Sequence, residues 1–247
     1  MANIDPLYQF KIKTLVPIHL GGVDLSFTNA SLFMLVTTAV ICLLTHFSTR
    51  KRCLIPGRFQ VGAESFFHFI ADMIKDYVGA EGVRFFPYIL SLFLFVLFGN
   101  LVGLIPYTFT FTSHIIVTFA LASFVLVGVT VAGFSKHGAG FFKVFFPSGI
   151  PLYVAPLLVP VEIISYLSRS ISLSVRLFAN MVAGHVMLKI FAYFAVLLAG
   201  SAFLPAAILP TALNVAIIGF EFLVAILQAY VFAILTCIYL NDALNLH

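Results

Sequence analysis

The chain has 247 residues, 62% of them hydrophobic and only 9% charged, with a mean hydropathy of +1.13 and a formal net charge of +4. That balance excludes an ordinary soluble domain, and because the basic residues never gather into a stripe with interleaved aromatics it also excludes a nucleic-acid surface. Long uncharged runs recur and each must satisfy its own backbone as a helix, so the fold class is all-α, a polytopic membrane protein.

Residues 1–29 carry Asp5, Lys11, Lys13 and Asp24 before any apolar run. This is unlike a cleavable signal peptide, so the segment is expected on the outer side with the first span acting as the insertion signal. That span covers 30–47 and ends at Arg50, Lys51 and Arg52, with Arg58 close behind, which makes the following loop cytoplasmic. Over 60–80 the residues Phe66, Phe69, Ile70, Met73, Ile74 and Tyr77 recur at helical spacing while Glu64, His68, Asp72, Lys75 and Asp76 interrupt them. Such a pattern fits an amphipathic helix lying in the membrane interface. Spans at 85–105 and 114–134 flank a short loop opened by Pro106, Tyr107 and Thr108, expected on the outer side because it lacks Lys and Arg. Lys136, His137, Gly138 and Lys143 then return the chain to the cytoplasmic side.

Residues 150–247 read as a hairpin. After Pro147, Pro151, Pro156 and Pro160, one helical pattern runs from about Val161 to Leu198, roughly 55 Å, nearly twice a ~30 Å hydrocarbon core. A second, from Ala212 to Leu240, measures roughly 43 Å, and Gly200 to Pro210 joins the two. Both must tilt or bend. The expectation is therefore five membrane-embedded helices plus one interfacial helix, in a single domain over 1–247. Cys42, Cys53 and Cys237 lack the spacing of a disulfide framework or a zinc site, and the histidines show no ligand spacing, so no metal is assigned. With no phosphate-binding glycine loop, no cofactor is expected.

Arg176 stands out in this apolar setting. An Arg at bilayer depth costs ~2.5–3.5 kcal/mol on insertion scales and cannot shed its proton, so its site must use a permanent charge. On a helical wheel Glu162, Ser165, Arg169, Ser172, Asn180 and Ala183 fall on the same face, a polar stripe, whereas His185 falls on the opposite face roughly 13–14 Å along the axis. In the last helix Glu221 and Gln228, seven residues apart, share a face. One antiparallel register levels Arg176 with Gln228, His185 with Glu221, and Glu162 with Asp242, although facing both Arg176 and His185 toward one partner requires a bend or a bridging water.

Plainer roles stay open. Arg169 and Lys189 can simply snorkel, Glu162 can be structural, His185 and Glu221 can be a buried hydrogen-bonded pair, and Asp242 and His247 read as a solvated tail. The ridge Ala225, Ala229, Ala233 admits a partner helix or ordinary internal packing.

The stretch Ser172-Leu-Ser-Val-Arg176-Leu-Phe-Ala-Asn180-Met-Val-Ala-Gly184-His185, together with Glu221, Leu227-Gln228-Ala229-Tyr230-Val231-Phe232 and Asn100-Leu-Val-Gly-Leu-Ile-Pro106, resembles subunit a of F-type ATP synthases over almost the whole chain. Many bacterial members carry an acid where His185 stands and a His where Glu221 stands; here the two have traded places, as in the alphaproteobacterial and mitochondrial branch. The resemblance implies two offset proton half-channels: an inlet through His185, Glu221, Asn180, Gln228, Asn100 and His114, an outlet through Glu162, Ser165 and Ser172, and Arg176 as the barrier between them. It also implies a ring of proteolipid c subunits, peripheral-stalk b subunits, the remaining synthase subunits and a lipid bilayer as partners. No nucleotide site is implied in this chain. The implied location is a bacterial inner membrane, with the mitochondrial inner membrane as the alternative. A stand-alone secondary transporter or ion channel is the competing class, since it too places Arg, Glu and His inside the membrane. A structural anchor would need no polar stripe.

Overall fold

A computed structural model describes residues 10–20, 23–24, 26–50, 57–105, 108–138, 140–141, 155–200 and 204–245. Asp5, Lys51, Arg52, Cys53, Pro106, Tyr107, Lys143, Pro147, Pro151 and His247, used in the reading above, lie outside the described residues. Six helices follow one another: α1 Asn29–Arg50, α2 Arg58–Tyr77, α3 Phe86–Gly103, α4 Ile115–His137, α5 Ala155–Ala199 and α6 Ile208–Leu244. Five are long and apolar enough to cross a membrane, and α2 is the exception.

Ahead of α1 the structure adds short strands that hydrophobic periodicity does not announce. β1 (Thr14–Val16) pairs antiparallel with β4 (Phe27–Thr28), and β2 (His19–Leu20) with β3 (Val23–Asp24). Asn29 ties this segment to α1. Its side-chain oxygen accepts from the Lys13 and Ala30 backbone N–H groups at 3.2 and 3.0 Å, and its amide donates to the Lys11 carbonyl at 3.2 Å. Within α1 the hydroxyls of Thr37, Thr38 and Thr45 donate back to carbonyls four residues earlier at 2.8–2.9 Å, which satisfies polar groups inside an apolar helix.

Helix α2 turns Ile70, Met73 and Ile74 inward and leaves Glu64, Asp72, Lys75 and Asp76 exposed, the division its sequence pattern calls for. It stops at Gly79, whose φ of +80° favours glycine, and a 3-10 segment, Ala80–Phe85, leads to α3 with Pro87 in its first turn. Lys136 at the end of α4 pairs with Glu81, and the His137 Nε2 bonds the Leu244 carbonyl at 2.8 Å. One end of α4 is thereby tied to both the α2–α3 connection and the end of α6.

The core forms where α3, α4 and α5 pack on α6. Ala225, Ala229 and Ala233 are each fully buried, so the alanine ridge serves internal packing and is not a free face. Hydroxyl bonds pin α5 to α4 at three heights: Thr118 Oγ1 to Ser174 Oγ at 3.1 Å, Ser170 Oγ to the Ala122 carbonyl at 3.2 Å, and Thr130 Oγ1 to the Tyr166 hydroxyl at 2.7 Å. Helix α5 begins at Ala155, ahead of the expected Val161, and carries Pro160 within it. A proline near a helix start forfeits a single backbone bond, and Pro156 forfeits none because first-turn N–H groups have no partner in any case. At 45 and 37 residues, α5 and α6 reach ~68 and ~56 Å.

The connection between α3 and α4 differs from a simple surface loop. Phe109, Thr110, Phe111, Thr112 and Ser113 are all buried, folded inward against the helix ends. The hydroxyls of Thr108 and Thr110 cap the last carbonyls of α3, at 2.6 Å on Val102 and 3.1 Å on Gly103. Gly99 makes room for Phe111: a Cβ there would stand 2.6 Å from the ring. Because that ring is enclosed and packs on Phe95 at 5.5 Å, Gly99→Ala should destabilise the fold by ~1–3 kcal/mol. Thermal unfolding in detergent reads the loss, and an unchanged midpoint would contradict this packing.

Candidate functional site

Pinned by its hydroxyl bonds, α5 buries Ser170, Leu173, Ser174, Leu177 and Met181 toward its neighbours and turns the opposite face outward. Arg176 lies on that outward face, exposed, and among the described residues its side chain makes no hydrogen bond or ion pair within the chain. Small residues surround it: Ser165, Ser172, Ala179 and Ala183 are all exposed on the same side. Small side chains let another helix come close. Glu162 is half-buried on this stripe.

Arg169 belongs to the stripe but behaves differently. Its guanidinium donates to Asp242 at 3.0 Å and lies over the rings of Tyr239 and Tyr166, at 5.2 and 5.9 Å. The pair gives Arg169 a partner beyond snorkelling, and it places Asp242 in α6 and paired, although still exposed, where a solvated tail was expected. Asp242 is not matched with Glu162. Its partner sits seven residues further along α5.

Toward the other end of α5, His185 meets α6. Its Nε2 lies 3.7 Å from Glu221 Oε1 and 3.0 Å from Thr110 Oγ1, while Phe10 packs edge-on against the ring at 6.2 Å. Glu221 is 2% exposed, and neither carboxyl oxygen has a hydrogen-bond partner within the chain. Gly184 explains how the carboxyl reaches this place: a Cβ on Gly184 would stand 2.6 Å from Glu221 Oε1. An imidazole beside a buried carboxyl is a pair chemically able to exchange a proton.

Asn180 joins Glu221 in the lining of a cavity of about 230 Å³, closed otherwise by apolar residues including Ile217 and Val224. That is room for several waters at about 30 Å³ each, the sort of partner that unbonded buried polar atoms need. Asn100 on α3, fully buried with both amide atoms unbonded within the chain, has the same need. So does His114 Nε2, and its ring stacks on Phe109 at 5.2 Å. Gln228 is half-buried, and among the described residues no hydrogen bond joins it to Arg176.

Two residues escaped the sequence reading. Asn214, with its buried and unbonded Oδ1, stands seven residues before Glu221 just as Gln228 stands seven after, a heptad spacing that was visible in the sequence. Thr110 bonds His185, and its signal was the alternation Thr108, Phe109, Thr110, Phe111, Thr112 next to a proline.

A family model for the ATP synthase A chain matches residues 31–241. The chain is 54% identical over 243 residues to ATP synthase subunit a of Rhodospirillum rubrum, covering 98% of this chain and 99% of that one. It is 56% identical over 247 residues to the protein of the same name from Allorhizobium ampelinum, covering 99% and 98%, and 54% identical over 244 residues to that of Parvibaculum lavamentivorans, covering 98% and 94%.

The Arg169–Asp242 contact is testable apart from any function. Arg169→Asp with Asp242→Arg should recover stability relative to the two single changes, with a coupling of about 0.5–1 kcal/mol, the scale of a partly exposed pair. Thermal unfolding of the four proteins measures it, and purely additive losses would mean the two groups do not interact.

Proposed function

The chain belongs to the ATP synthase A chain family, and from that premise we propose that it is the stationary subunit through which protons cross to and from a rotating ring of proteolipid c subunits. Its other partners include the remaining subunits of the synthase, with peripheral-stalk b subunits among them, and its location is a bacterial inner membrane, since the relatives compared come from bacteria. A shared name across nearly full-length relatives leaves the stand-alone transporter or channel without support.

The single observation that carries the reading is the outward, unpaired charge of Arg176 on a face of small residues. At membrane depth such a charge costs ~2.5–3.5 kcal/mol unless something opposite in sign meets it, and a carboxylate on an approaching helix supplies that. In this reading protons from the outer side follow Asn100, His114, Asn180 and Gln228 to the His185–Glu221 pair, then load a ring carboxylate. After a turn of the ring the site reaches Arg176 from the other side, where the fixed positive charge favours the ionised carboxylate and so promotes release toward Glu162, Ser165 and Ser172. The same charge repels a proton attempting to pass directly. Each proton crossing ~100 mV delivers about 2.3 kcal/mol, so a leak beside Arg176 would dissipate what several protons must sum to make ATP.

Arg176→Ala should abolish ATP-driven proton pumping in membrane vesicles while the subunit still assembles; normal pumping would remove Arg176 from the barrier role. For the inlet pair, His185→Glu combined with Glu221→His should retain more pumping than either single change. Losses that merely multiply in the double variant would show that the pair does not act as a unit.

A further inference from the structure

The hydroxyl of Thr110 stands between two groups that it can serve by turns. Thr110 is 4% exposed, with Oγ1 3.1 Å from the Gly103 carbonyl oxygen and 3.0 Å from His185 Nε2. A hydroxyl has one proton to give and lone pairs with which to accept. When Nε2 carries a proton, Thr110 accepts from it and gives its own proton to Gly103; when Nε2 is bare, the hydroxyl turns and donates to the ring. Both arrangements leave His185 Nε2 bonded, and neither moves a heavy atom.

The surroundings are built for this geometry. Gly103 is buried and a Cβ there would stand 2.7 Å from Thr110 Oγ1, so only the missing side chain lets the hydroxyl lie against the end of α3. Ser113 fixes the Thr110 backbone, its Oγ donating to the Thr110 carbonyl at 2.6 Å and its N–H bonding the same oxygen at 3.2 Å. Across the ring Gly184 admits Glu221, the acid from α6 that stands 3.7 Å from Nε2, and the charge of Lys189 on α5 also reaches the imidazole. Thus Nε2 has both a proton acceptor and a reversible hydroxyl partner within reach.

We propose that Thr110 is a positioning residue of the inlet path, keeping His185 Nε2 hydrogen-bonded beside Glu221 in both protonation states by turning one hydroxyl proton between the Gly103 carbonyl and the ring. The step it serves is a single proton transfer. The doubly protonated imidazolium of His185 gives its Nε2 proton to the Glu221 carboxylate, leaving an Nδ1–H neutral ring and a protonated carboxyl; the Thr110 proton then turns to Nε2 and stays bonded to Thr110. The ring takes its next proton at Nε2 from the outer-side path, and the hydroxyl turns back. This inference rests on the reading of His185 and Glu221 as part of a proton path.

The test is ATP-driven proton pumping by the whole synthase in inverted membrane vesicles, with subunit content and ATP hydrolysis measured alongside. Thr110→Val keeps the shape but loses the hydroxyl and should slow pumping about tenfold, the scale of one unmade buried hydrogen bond. Thr110→Ser keeps the hydroxyl and should pump at no less than half the original rate, a rescue that a purely packing role would not give because Val fills the space better than Ser. Wild-type pumping by Thr110→Val, or equal loss in Val and Ser, overturns the proposal. Should the Val protein fail to assemble, Thr110→Cys replaces it, with a thiol that bonds weakly; full pumping there likewise overturns the proposal. His185→Ala separates the two levels of inference: if it pumps normally the proton-path reading itself falls, and if it fails while Thr110→Val is normal only the role of Thr110 falls.

Discussion

The alignment of α5 on α6 governs everything else in this molecule. Two contacts at different heights fix it: Arg169 on Asp242 toward one end, and His185 beside Glu221 toward the other. Arg176 lies between them on the exposed face of α5, because hydroxyl bonds to α4 hold the opposite face inward. A one-residue slip in either helix would swing side chains by about 100° and break both contacts. The fully buried alanines of α6 are what permit such closeness, since longer side chains there would hold the neighbouring helices apart.

Ionisable groups are divided in a way that follows from their surroundings. Arg169 and Asp242 are partly exposed and neutralise each other at little cost or benefit. Glu221 is buried, where an isolated charge would be expensive, and has an imidazole for a neighbour, so a proton can be shared or passed on. Arg176 cannot titrate, and among the described residues it makes no ion pair with an acid.

Much of this was legible in the sequence, for identifiable reasons. The long apolar runs fixed the spans because bilayer thickness and backbone satisfaction admit few alternatives. Glu221 and His185 could be levelled from helical rise alone, but whether they face each other depended on Gly184, whose missing side chain carries no periodicity. The inward fold of Phe109 to Ser113 was hidden because an uncharged segment between two spans reads as a loop, and only tertiary packing reveals that its rings fill the core. Pairing of Arg169 with Asp242 was hidden as well, since an acid five residues before His247 looks solvated until the partner helix is in place. The short strands before α1 are held by backbone bonds and Asn29, which leave no hydrophobic pattern to read.

The space beside Gly184 also bears on how such a sequence can change over generations. An alanine at 184 would collide with the carboxyl of residue 221, and any larger group at 221 would have to use the same space. Positions 184, 185 and 221 therefore cannot drift independently: a substitution harmless in one background is blocked in another.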